Sequence, residues 1–332
     1  MRLKALIIVA IIAALVLGLG LGFGPSSKKA IDTSDTTPFL SEWMDYIRDD
    51  VLVKNTVIPG SHDAGTYGMM WAAETQNRTI KEQLESGSRY FDIRVEKKGD
   101  KHVIFHTIIK GAEFEPMLND ISAFLTAHPS EFLILDFQKF KGGSQADVIA
   151  LLSAQLGDKV VKNNTSNSDL EFIDALTVGE ARGKCIIIWG DRGTVGNADY
   201  LFLRGDDKGT SADATLRSFY ERKYNASSSS SYIKKGLPAY LTRRQNYPTG
   251  LFVLQGQLTD PVVIIGPKAI EAKHDKNMSN YLKNFDCSAH QLNIVMRDYV
   301  GPRKCAEIIA LNLAYNNVPS ARVSAFRSNV SF

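Results

Sequence analysis

The chain has 332 residues, 44% of them hydrophobic and 23% charged, with 25 Gly and 11 Pro. That is enough apolar matter for a sizeable core, and it excludes a disordered, collagen-like or multispan membrane protein. The 39 basic and 36 acidic residues leave a charge of +3, which gives nucleic-acid binding no support.

Residues 1–24 (MRLKALIIVAIIAALVLGLGLGFG) place two positive charges before an uncharged apolar run, the pattern of a signal peptide or a single membrane anchor. Either would export the rest of the chain, leaving it secreted or tethered. Residues 25–37 are polar and aperiodic and read as a linker, so folding is expected over residues 38–332 as one domain. From there, short β-branched runs alternate with helical patterns. Strands are predicted at Thr56–Pro59, Arg89–Glu96, His102–His106, Phe132–Phe140, Cys185–Trp189, Gly250–Gln257 and Leu292–Tyr299. Helices are predicted at Asn119–His128, Ala146–Leu156 and Cys305–Asn316, among others. Such alternation predicts an α/β fold around a mainly parallel sheet or barrel. The Ser227–Ser231 run reads as a mobile surface loop. Cys185 reads as a buried strand residue, whereas Cys287 and Cys305 are a candidate bridge in an exported protein.

Ionisable groups collect at the predicted strand ends. In RYFDIRVE, alternation puts Tyr90, Asp92, Arg94 and Glu96 on one face, and charged groups on an internal strand need partners or a ligand. His106 ends VIFH, Asp136 and Gln138 share a face in ILDFQ, and Asp298 follows NIVMR. His62 and Asp63 lie in a Gly-rich turn, IPGSHDAGTYG, and Arg192 follows CIIIWG. Barrel enzymes build their sites at such carboxyl ends. Two His, an Arg and several Asp are what displacement at a phosphodiester requires: a base for the attacking hydroxyl, an acid for the leaving oxygen and a fixed cation for the phosphate. The chain has no G-x-x-x-x-G-K-[ST] loop, no H-E-x-x-H and no G-x-S-x-G elbow.

IPGSHDAGTYG, Thr75–Gln76, EQLESGSRYFDIRV, a His-bearing strand, FLTAHPSEFLILDFQKF and finally NIVMRDYVG follow one another in order. This series resembles the X domain of phosphatidylinositol-specific phospholipase C, in the manner of single-domain bacterial enzymes and X-domain-only relatives. The resemblance implies a TIM-barrel-like, distorted β/α barrel. It also implies cleavage of phosphatidylinositol, or of a glycosyl-phosphatidylinositol, to diacylglycerol and inositol 1,2-cyclic phosphate. His62 is then the general base, oriented by Asp298, and His106 the general acid, supported by Asp63. Arg94 is the phosphate-binding arginine of metal-independent members, which implies no metal or other cofactor, and Asp92 pairs with Arg94 or a neighbouring His. Gln138 and Arg192 become candidate inositol contacts. The implied partner is a phosphatidylinositol-type lipid at a membrane surface, met by a monomer, with Met69, Met70 and Trp71 as a candidate insertion loop. The family's Gly after the second His is replaced by Thr107, which puts the close backbone approach there in question. Two other readings stay open: a metal-dependent glycerophosphodiesterase or phospholipase D-like enzyme, and a catalytically silent inositol-lipid binding protein.

Overall fold

The computed structural model describes residues 38–196, 198–208, 211–259 and 265–330. The apolar leader and the linker expected from the sequence lie outside them. Among the described residues no helix is long and apolar enough to cross a membrane.

Eight strands run parallel in the order β7-β6-β5-β2-β1-β10-β9-β8. They are β1 (Ile58–Ser61), β2 (Tyr90–Lys98), β5 (Leu133–Lys141), β6 (Cys185–Trp189), β7 (Leu201–Leu203), β8 (Leu216–Ser218), β9 (Leu251–Gln255) and β10 (Ile294–Arg297). A parallel bridge from Arg204 to Leu216 brings β7 to β8, so the sheet is a nearly closed, TIM-barrel-like cylinder. Antiparallel strands β3 (Lys101–His106) and β4 (Ile109–Glu113) form a hairpin hung on β2.

Period-two alternation explains the packing. Ile58, Tyr90, Ile134, Ile188, Phe202, Leu216, Val253 and Met296, from all eight strands, join one buried cluster. Their neighbours Phe91, Leu135, Ile187, Phe252 and Val295 face two outer clusters shared with the helices. Gly60 is required inside, because a Cβ there would lie 2.9 Å from the Tyr90 ring. Outside, helix Ile80–Glu85 starts at a capping box in which Thr79 accepts from the Glu82 backbone and Glu82 returns the bond.

Three sequence expectations need correction. All three cysteines are free: Cys305 packs in the cluster that includes the barrel interior, whereas Cys287 lies against a different, outer one. The serine run is anchored rather than loose. Ser228 caps the turn Ser229–Ser231, and the Ser229 hydroxyl lies 2.8 Å from His274 Nδ1. Strands β4, β7 and β8 were not foreseen; two of them are only three residues long, too short to show a period.

Candidate active site

The barrel strands that reach the site carry polar side chains within or just after them, and closing the barrel gathers these into one mouth. His62 and Asp63 follow β1, Asp92 and Arg94 lie on β2, and Asp136 and Gln138 lie on β5. His106 ends β3, and Asp298 directly follows β10.

The distances define one connected cluster. His62 Nδ1 lies 2.7 Å from Asp298 Oδ1, and its Nε2 lies 3.3 Å from Asp63 Oδ2. The same Asp63 oxygen lies 3.6 Å from His106 Nε2, so one buried carboxylate stands between the two imidazoles. Arg94 Nε is 2.9 Å from the other Asp63 oxygen, and its Nη2 donates to Asp92 Oδ2 at 3.0 Å. His106 is held by Nδ1, 3.1 Å from the Ala73 carbonyl. Asp92 Oδ1 is buried without a hydrogen-bond partner beside these ion pairs.

A second cluster adjoins the first. Asp136 Oδ2 accepts from the Tyr90 hydroxyl at 2.6 Å, from Gln138 Nε2 at 3.1 Å and from Arg204 Nε at 3.1 Å. Gln138 lies two residues after Asp136 on β5, where the pairing with β2 shifts by one residue between Ile93 and Arg94. Gln138 also borders a cavity of about 310 Å³ together with Phe105, Lys139 and Asp191. Arg204 was missed in the sequence, although it follows the apolar run LFL in the way that Asp298 follows its strand. Arg192, an expected inositol contact, is not brought to the cluster: it makes a two-pronged pair with Asp213 at 2.7 and 3.0 Å and is 59% exposed.

Among the described residues, four that are not glycine have positive φ, and three of them directly follow His62, His106 and Asp298. They are Asp63 at 44°, Thr107 at 59° and Tyr299 at 48°, conformations that cost on the order of 1–3 kcal/mol each and gather at functional sites. Thr107 thus adopts the left-handed conformation that glycine takes freely, so its presence costs strain and keeps the turn.

Charge in the cluster is set by crowding. Burial alone would push the His62 imidazole down, but Asp63, Asp298 and Asp92 outweigh it and hold the group up at about 9. Burial pushes Asp63 up, yet Arg94 and both imidazoles keep it below the usual carboxylate range. Asp92 and Asp298 sit above that range, burial prevailing over Arg94 in one and over His62 in the other. His62, Asp63 and Asp92 each place a ligand-capable atom within 4.8 Å of the others. The Arg94 guanidinium lies against both of these carboxylates, supplying the cation there.

Comparison with known proteins converges on one family. Residues 52–190 match the family model of the phosphatidylinositol-specific phospholipase C X domain. The mouse "PI-PLC X domain-containing protein 2" is 34% identical over 122 residues, which is 27% of this chain and 36% of that protein. The "1-phosphatidylinositol phosphodiesterase" of Staphylococcus aureus (strain Newman) is 30% identical over 121 residues, 34% of this chain and 38% of that one. The chain therefore spans little more than a third of the length of these relatives. Among solved structures, the phosphatidylinositol-specific phospholipase C from Listeria monocytogenes superposes with a TM-score of 0.67 at 21% identity. That superposition covers 82% of this chain and 98% of the other, and it establishes the shared barrel fold.

Proposed function

We propose that the protein is a phosphodiesterase acting on phosphatidylinositol-type lipid, a reading supported by the match of residues 52–190 to the phosphatidylinositol-specific phospholipase C X domain. The observation that carries the reading is the single carboxylate of Asp63 between the two imidazoles, at 3.3 and 3.6 Å, with Arg94 on its other oxygen at 2.9 Å.

His62 Nε2 takes the proton of the inositol 2-hydroxyl, while Nδ1–H stays on Asp298, which stabilises the imidazolium that forms. The hydroxyl oxygen attacks phosphorus and the bond to the glycerol oxygen breaks. His106 Nε2 gives that oxygen its proton, releasing diacylglycerol and inositol 1,2-cyclic phosphate. Arg94 neutralises charge on the phosphate as it develops. An internal hydroxyl outcompetes water because it is already in place. Gln138 and Arg204 face the head group; Arg192 would first have to leave Asp213. The test is phosphorus NMR of residues 38–332 with phosphatidylinositol in mixed micelles and excess chelator. A cyclic phosphate signal is expected. Turnover only after calcium or magnesium is restored would remove Arg94 from its role, and no turnover under any condition would favour a silent binding protein.

The lipid surface is the proposed partner, and the apolar residues 1–24 support export to reach it. Met70, Trp71, Ile108 and Ile265, 40–60% exposed, are the exposed large hydrophobic side chains among the described residues. Trp71 follows the His62 turn and Ile108 the His106 strand. A Cβ on Gly266 would lie 2.6 Å from the Trp71 ring, which sets Ile265 beside it. Met69, expected to insert, is buried in the core. Trp71→Ala is expected to weaken binding to phosphatidylcholine vesicles about tenfold, the loss of roughly 1.4 kcal/mol of apolar burial. Sedimentation would read this, and unchanged binding would discard the rim as the docking surface.

A further inference from the structure

The last rung between β1 and β10 pairs Ser61 with Arg297, and the next residues on the two chains are His62 and Asp298. Beyond the His62 N–H, which donates to the Arg297 carbonyl at 3.2 Å, the strand pair ends. The two side chains that must meet at 2.7 Å therefore stand on backbone that the sheet no longer holds together.

A fully buried amide spans this gap. Gln76 Nε2 donates to the His62 carbonyl and to the Arg297 carbonyl, both at 3.0 Å, and its Oε1 accepts from the Val300 N–H at 2.9 Å. Both N–H donors of the side chain are thus spent on the backbone that carries His62 and on the residue before Asp298. The acceptor pins the chain just after Tyr299, whose φ is 48°. Thr75 supports the same clamp: its hydroxyl donates to the His62 carbonyl at 3.0 Å, and its carbonyl accepts from the Tyr299 N–H at 2.7 Å. None of these contacts touches the His62 or Asp298 side chain.

We propose that Gln76 is a positioning residue, which extends the β1–β10 ladder by one side-chain rung and thereby fixes the hydrogen bond between His62 and Asp298. This rests on His62 acting as the base. Its energetic logic is that reacting groups displaced by about 1 Å lose about 10²-fold in rate, whereas a bound head group contacts the mouth and not Gln76.

The test uses Gln76→Met, similar in volume but without donors, and Gln76→Glu, which keeps the acceptor for Val300 and loses both donated bonds. kcat and KM are measured on phosphatidylinositol in mixed micelles. The low-field imidazole proton of the His62–Asp298 bond, assigned by its absence in Asp298→Asn, is followed by NMR in the unliganded protein. Both variants should melt cooperatively, lose or broaden that resonance and show kcat lower by about 10- to 100-fold, with KM within about twofold. A retained resonance with kcat unchanged overturns the proposal. So does failure of both variants to fold, which would make Gln76 a residue of the fold alone. If the wild-type protein turns nothing over, the proposed activity fails, and the resonance still decides the role of Gln76.

Discussion

Replacing His62 by alanine is expected to lower kcat on phosphatidylinositol by about 10²- to 10⁴-fold, the range contributed by a positioned general base. The base cannot be replaced locally. Asp298 lies behind the ring, and Asp63 is held below the usual carboxylate range by Arg94 and the imidazoles, which makes it a poor acceptor for the hydroxyl proton. His106→Ala offers the contrast. It should lose a comparable factor on the lipid and far less on a substrate whose leaving group is a nitrophenolate, since such an oxygen departs without protonation. His62→Ala should lose its full factor on both. The measurement is initial rate against concentration on the two substrates, with near-UV circular dichroism as the check on folding. A His62→Ala protein that retains turnover would remove His62 from the mechanism, and equal losses for His106→Ala on both substrates would remove the acid role.

The second large effect is in pH dependence. A general base works as neutral imidazole, and Asp63, Asp298 and Asp92 together hold His62 up at about 9 despite its burial. Because His62 must be neutral while His106 is protonated, kcat/KM should be bell-shaped in pH, with the limb that belongs to His62 lying near 9. Asp298→Asn removes one of the charges that raise the group, so that limb should move to lower pH while the maximum drops. A wild-type profile with no limb near 9 would contradict that balance of charges around His62. A group raised in the folded state contributes stability that is complete below its unfolded value, about 6.5 for imidazole, and that is lost as pH rises through about 9. Melting temperature should thus fall as pH rises from about 6.5 to about 9, and less so in Asp298→Asn.

The legible parts of the molecule are those whose signal is local. Strand β6 is found at Cys185–Trp189 as expected, because CIIIW is buried on both faces and bounded by turn residues. The alternation in RYFDIRVE places Asp92 and Arg94 together, and they pair at 3.0 Å. His62, Asp63, His106 and Asp298 are likewise gathered. Arg204 and Gln76 show no local signal of a role. Arg204 follows a strand of three residues, less than two full periods of alternation. Gln76 acts through backbone carbonyls on two segments, one of them more than 200 positions away, and hydrogen-bond partners at that separation leave no trace in composition or spacing.

What the sequence by itself determined is which residues are polar where an apolar strand stops, a consequence of period two and of the cost of burying unpaired charge. Only the tertiary structure decided which of those ends share a mouth. The junction of β7 with β8 through Arg204 and Leu216 brings the barrel close to closure. It sets Arg204 against Asp136, while Arg192 stays on the surface with Asp213. The physical reason is that a strand's inward face follows from its own few residues, whereas its neighbours follow from the packing of all eight strands and the helices around them.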